Sequence, residues 1–183
     1  MRPPQILVAG IGNVLLGDDG FGVETVRRLS AHALPEGVIV IDFGIRGLDL
    51  AYALLDPYDA VILVDIASRK EAPGTLYLIE PEIPENQQAT LDAHGMDPVK
   101  VLALARALGA KPTRTYLVAC EPEFLVDPES DEVVMELSAP VAEAIEEATR
   151  MICGLIAEVE AIHKTIDHET KEGYLETVLQ EGG

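Results

Sequence analysis

Three short stretches in the first third of the chain are apolar at every position: Ile6-Leu7-Val8-Ala9, Val38-Ile39-Val40-Ile41 and Ala60-Val61-Ile62-Leu63-Val64. Short runs without polar alternation predict strands covered on both faces, as in a parallel sheet. Between the first two lies a helical pattern from about Phe21 to Ala33, carrying Val23, Val26 and Leu29 and ended by Pro35 and Gly37. Between the second and third, Leu48 to Leu55 predicts a short helix stopped by Asp56-Pro57. The order is βαβαβ. Right-handed crossovers then place the C-terminal ends of the strands, and the loops after them, along one edge of the sheet.

Further along, Thr75 to Ile79 predicts another strand, for which an antiparallel course is open, and Glu80 to Asn86 is an acidic, proline-containing loop. Asp97-Pro98 opens a helix with Asp as its cap and Pro in its first turn, running to Leu108 and closing at Gly109. Thr115 to Cys120 is the last clear strand. A long helix begins near Ser138 and carries Val141, Ile145, Ala148, Ile152, Leu155, Val159 and Ile162 at helical spacing. The expected fold is a single three-layer α/β domain over residues 1–162, a mostly parallel twisted sheet of about five strands flanked by helices. Residues 163–183 are read as a polar, acidic C-terminal extension.

Composition narrows the function. A chain of 183 residues buries a full core without disulfides or structural metals. No apolar run approaches the roughly 20 residues that cross a bilayer, and MRPPQILVAG lacks the plan of a secretory signal. The expectation is a cytoplasmic protein with no membrane insertion. A formal charge of −19 repels nucleic acid and anionic lipid, leaving proteins, cations and small molecules as partners. Cys120 and Cys153 have no CxxC spacing and read as core thiols. No serine sits in G-x-S-x-G and no cysteine lies beside a plausible base, so covalent acyl transfer has little support.

The chemistry concentrates in GIGNVLLGDDGFG, Gly10 to Gly22. Gly10-x-Gly12 between a strand and a helix has the form of a dinucleotide cradle, but Leu15 stands where the third glycine belongs. Asp18 and Asp19 put two carboxylates near the position of the phosphate, where each like-charge contact at about 5 Å costs roughly 3 kcal/mol at an effective dielectric near 20. That geometry favours a cation. One carboxylate satisfies the helix N-terminus, so Asp18 is expected to cap it while Asp19 points elsewhere.

Asp65 ends the third apolar run and Asp42 the second, on the same sheet edge as Asp19. Each also has an ordinary reading as a turn former. Acids converging there need a cation, a proton or an arginine, and Arg46 is a candidate partner for Asp42. Of four histidines, His32, His163 and His168 lie near or beyond helix ends, whereas His94 lies in the loop LDAHGMDP before the Asp97 cap. Asp19, Asp65 and His94 together make two carboxylates and an imidazole, a set suited to Ni, Zn, Fe or Mn. Asp18 and Asp42 form a second tier. Glu121, after the last strand, reads as a rim residue or a solvated charge.

The strings GIGNVLLGDDGFGVETVRRL, VILVDIA and AHGMDPVKVLALARALG, in this order, resemble the [NiFe] hydrogenase maturation endopeptidases from about Ile6 to Ile156. The resemblance places the family's metal-contacting and catalytic positions on Asp19, Asp65 and His94. Asp19 stands where some members have Glu, and Asp42-Phe43-Gly44-Ile45 where members commonly read Asp-Gly-Gly-Thr. The implied activity is removal of a C-terminal peptide from the precursor of the hydrogenase large subunit once nickel is inserted. The implied nickel arrives with the substrate, and another divalent metal can replace it in vitro. Open alternatives are a nickel-recognition or docking module that never cuts, an unrelated metal-dependent hydrolase, and a nucleotide-binding domain.

Overall fold

The computed structural model describes residues 2–82, 97–111, 113–127, 130 and 132–181, with 167–181 as backbone only. The apolar runs form strands β1 (Ile6–Ile11), β2 (Val38–Gly44) and β3 (Ala60–Ile66), followed by β4 (Leu76–Ile79) and β5 (Arg114–Cys120). They make one five-stranded sheet in the order β2-β1-β3-β5-β4. All pairings are parallel except that of β4 with β5. A parallel return needs a crossover of a dozen or more residues. The loop from Ile66 to Leu76 is too short for one, so β4 runs antiparallel along the edge.

Helices α1 (Phe21–Leu29) and α4 (Ala139–Glu181) cover one face; α2 (Gly47–Ala53) and α3 (Pro98–Ala107) cover the other. The absence of alternation in the strands follows from this. Ile6 and Val8, Ile62 and Val64, and Tyr116 and Val118 join the core beneath α1 and α4, while Leu7, Ala9, Leu63, Leu117 and Ala119 join the core beneath α2 and α3. Fully burying each large aliphatic side chain contributes about 1.5–3 kcal/mol, and both faces are filled this way.

The expected α/β domain is the observed one, with local differences. Helix α1 stops at Leu29 rather than near Ala33, where Ser30 turns its hydroxyl back onto the Val26 carbonyl (2.8 Å). The His32 ring lies 3.1 Å from the Arg28 carbonyl. Helix α3 starts as read, with the Asp97 carboxylate accepting from Val99 N at 2.9 Å and Pro98 in the first turn. Helix α4 buries Val141, Ala148, Ile152, Leu155 and Val159 and continues without a break past residue 162, where the polar extension was expected to begin. No helix among the described residues is long and apolar enough to cross a membrane.

Helix α1 enters directly over β1 and β3, and Gly22 permits that approach. A Cβ at this position would lie inside van der Waals contact of the Ile11 and Val64 carbonyl oxygens, backbone atoms that cannot swing aside. Gly22→Ala is therefore expected to cost about 1–3 kcal/mol of overpacking, read as a lower urea midpoint at unchanged slope.

Candidate functional site

Strand order decides where a ligand sits in such a sheet. The connection from β1 leads outward to β2, whereas β3 lies on the other side of β1, so the order reverses between β1 and β3. Open α/β sheets bind ligands at that point, beyond the carboxyl ends of the strands. Asp19 follows β1 and Asp65 lies near the end of β3.

The chain leaves β1 through Gly12, whose φ of +123° and close approach to the Asp19 carbonyl exclude a side chain. Asn13 then folds the loop: its side-chain oxygen accepts from Leu15 N and its carbonyl from Leu16 N, both at 3.0 Å. A 3-10 turn over Gly17–Gly20 leads into α1. Within it the Asp19 carboxylate reaches back to accept from Asn13 N at 2.7 Å with Oδ2. Its other oxygen has no hydrogen bond among the described residues. Burial raises the Asp19 pKa, and the Asn13 N–H opposes the rise.

Asp65 is 5% exposed and accepts from Ile66 N at 2.8 Å with Oδ1, leaving Oδ2 without a hydrogen bond among the described residues. Burial pushes its carboxyl well above the usual range; the Ile66 N–H works against this, and the charges of Asp19 and Asp97 push it further. Asp19, Asp65 and Asp97 line one cleft of about 740 Å³, which also takes in Asn13, Ile45 and Arg69. Such a group of acids, each raising the cost of ionising the next, favours a proton or a cation among them. His94 lies outside the described residues. No cluster of three or more His, Cys, Asp or Glu able to hold a metal occurs among the described residues.

The second-tier aspartates have other partners. Asp18 is fully buried, and α1 has no side-chain cap, its N-cap being Gly20. The Asp18 carboxylate instead accepts from Glu123 N (2.8 Å), Phe124 N (3.3 Å), Ser138 N (2.7 Å) and Ser138 Oγ (3.0 Å). It joins the segment after β5 to the start of α4. The expected helix cap is thus a long-range clamp. The Asp42 carboxylate pairs with Arg27 of α1 at 3.2 Å rather than with Arg46. Arg46 donates to the Asp42 backbone carbonyl and pairs with Asp49.

Two features escaped the sequence reading. Asp97 was read only as a cap, yet α3 packs where its first turn meets the cleft. Glu121 is no solvated charge: it is 3% exposed and accepts from Ser68 Oγ, Arg69 N, Lys70 N and Tyr77 Oη. Its donors lie 44 to 53 residues away in sequence, so no local pattern announces them. Burial, with the Asp18 and Glu121 charges adding, pushes the Cys120 thiol up to about 12, so it stays neutral and is no nucleophile at physiological pH.

With the cleft defined, its relatives can be compared. The profile of the hydrogenase maturation protease family, HycI, matches residues 23–155. A hydrogenase expression/formation protein, HupD, of Rhodobacter capsulatus is 37% identical over 129 residues, 69% of this chain, and the aligned region spans 61% of that protein. A putative hydrogenase maturation protease of Methanocaldococcus jannaschii is 33% identical over 158 residues, 85% of this chain and 99% of that one. The structure of the hydrogenase maturating endopeptidase HybD from E. coli superposes with a TM-score of 0.68 at 30% identity, covering 84% of this chain and 93% of that chain. A profile that takes in most of the domain, an archaeal relative aligned over nearly its whole length and a shared fold agree on descent: the chain belongs to the hydrogenase maturation protease family.

Proposed function

We propose that the protein is an endopeptidase that removes a C-terminal peptide from the precursor of a [NiFe] hydrogenase large subunit after nickel insertion, meeting the substrate-borne nickel with Asp19, Asp65 and His94. The observation that carries this reading is the pair of carboxylates at the β1/β3 reversal. Asp19, in the turn after β1, and Asp65, on β3, line one cleft, and each has one oxygen bonded to a backbone N–H and the other without such a bond among the described residues. Two hard oxygen donors, joined by the imidazole that the family resemblance adds, would suit a divalent first-row ion. Burial disfavours both charges, and a cation among them relieves that cost.

In this reading the ion belongs to the substrate, and when bound it supplies Lewis acidity to a neighbouring carbonyl. The backbone N–H of Asn13 pins one Asp19 oxygen and leaves the other for the ion. A carboxylate of the pair that does not hold the ion would serve as general base toward an attacking water. The cleft volume falls within the range of sites that enclose a ligand, consistent with a short peptide segment held between the loop after β1 and the first turn of α3.

Incubating the protein with nickel-loaded and nickel-free precursor, followed by mass measurement, tests the proposal. The expected result is loss of the C-terminal peptide from the loaded precursor only, and loss of that processing in His94→Ala. Equal cleavage of both precursors sinks nickel recognition. Cleavage of neither favours a docking module that does not cut.

A further inference from the structure

Glu121 is an expensive group for this chain to keep. A carboxylate at 3% exposure must be fully hydrogen-bonded to remain ionised. The Tyr77 hydroxyl at 2.6 Å, with the N–H groups of Arg69 (2.6 Å) and Lys70 (3.1 Å) and the Ser68 hydroxyl (3.1 Å), holds it down to about 2. Three of these four donors lie in consecutive residues, so segment 68–70 is wrapped around the anion. Lys70 accepts a left-handed φ of +66° to complete the wrap, a conformation that a non-glycine residue adopts only at a cost. The segment begins three residues after Asp65, and of its three residues Arg69 is the one that lines the cleft.

The guanidinium of Arg69 lies over the Tyr77 ring, 5.2 Å from its centre. The Tyr77 hydroxyl donates a hydrogen bond to the Glu121 carboxylate, so one assembly braces Arg69 from its backbone and from its side chain. Arg69 makes no ion pair among the described residues, although acids prevail along the cleft: Asp19, Asp65, Glu80, Glu82 and Asp97 against Arg69 and Lys100. An anion entering that cleft is repelled at most of its walls. A guanidinium held in place with its fork uncommitted is built for the bidentate grip of a carboxylate, which a mobile ammonium such as that of Lys100 cannot reproduce.

We infer that Arg69 binds a carboxylate of the peptide to be released, and that Glu121 is the positioning residue that sets Arg69 at the cleft rim. This rests on the endopeptidase reading above. A C-terminal extension always carries an α-carboxylate and can carry acidic side chains as well. Either source presents the same chemistry. Gripping the released end gives the protein a fixed distance from the scissile bond, while the carboxylate pair takes the ion on the other side.

The test is steady-state processing of nickel-loaded precursor by wild type, Arg69→Ala, Arg69→Lys, Glu121→Gln and the double variant. Three substrates are used: the native precursor, one with the acidic residues of its extension changed to amides, and one lengthened by several neutral residues. Arg69→Ala should raise KM about ten-fold or more while moving kcat by less than two-fold, with Arg69→Lys recovering only part, as expected for loss of a charge-assisted bidentate contact. Glu121→Gln should raise KM in the same sense and add nothing to Arg69→Ala; a merely structural role would lower the active fraction, hence apparent kcat, and leave KM alone. The substrate change that removes the gripped carboxylate should weaken wild type by the same factor and Arg69→Ala not at all, which distinguishes a side-chain source from the chain terminus. An unchanged KM in Arg69→Ala, or losses that simply multiply between Arg69→Ala and both altered substrates, overturns the inference. Failure of wild type to cleave any precursor overturns the endopeptidase reading instead. Because Arg69 is exposed, its variants test the grip even if Glu121→Gln fails to fold.

Discussion

Asp18→Ala is expected to destabilise the protein by about 3–5 kcal/mol, the cost of breaking a buried, charged hydrogen-bond network from one side. In a chain of this size that lowers the thermal midpoint by roughly 10 °C, and urea unfolding checks it independently. The carboxylate is fully buried and is shared among Glu123 N, Phe124 N, Ser138 N and the Ser138 hydroxyl. Removing it leaves all of those donors without their acceptor, the Ser138 N–H and hydroxyl among buried groups, and unties the start of α4 from the turn before α1. Asp18→Asn keeps an acceptor at Oδ1 for Ser138 N but presents an amide to the donors at Oδ2, so its loss should fall between wild type and alanine. A loss below about 1 kcal/mol for alanine would mean that solvent reaches the Ser138 donors, contrary to their burial.

Its neighbour should behave in the opposite way. Asp65→Asn and Asp19→Asn are expected to lower processing at least about 100-fold, as for removal of a general base or a charged ligand, while leaving the fold intact. For Asp65→Asn the thermal midpoint at neutral pH should rise. The folded chain raises the Asp65 pKa well above its ordinary 3.8, so it holds that proton more tightly than the unfolded chain does. Folding is therefore favoured by this group below the ordinary value, and the advantage is lost as pH rises through the raised value. At neutral pH folding must either desolvate this charge or take up a proton, a cost that asparagine removes while keeping an acceptor for Ile66 N. Relief of even ~1 kcal/mol moves the midpoint by about 2–4 °C. A midpoint that drops in Asp65→Asn, or activity that survives it, would refute the assignment.

Taken together, the two adjacent aspartates are expected to separate stability from activity. Their roles were only half legible. Asp19 as the available carboxylate follows from local reasoning, since a short turn before a helix needs no second acid. That Asp18 clamps segments more than a hundred residues away does not, because its partners are backbone N–H groups brought near by β5 and α4. A similar limit applies to Asp42. Arg46 is four residues off and looked like its partner, but α1 packs beside β2 and delivers Arg27 to the carboxylate. Glu121 had no legible task at all, its donors lying on the loop after β3 and on β4.

By itself the sequence determined the strands, because uninterrupted β-branched runs have no polar face to show to water and must be covered on both sides. It also determined the start of α3, through the Asp97 cap and Pro98. Periodicity reports what happens within one strand or one helical turn. Which ends meet is a property of strand order, and only the tertiary structure decided that β1 and β3 lie side by side at the point of reversal, bringing Asp19 and Asp65 to one cleft. It likewise decided that Asp97 and Arg69 join them and that Asp18 and Asp42 do not. The physical reason is common to all of these residues: the free energy of a buried charge is set by groups within a few ångströms in space, and those groups come from elements far apart along the chain.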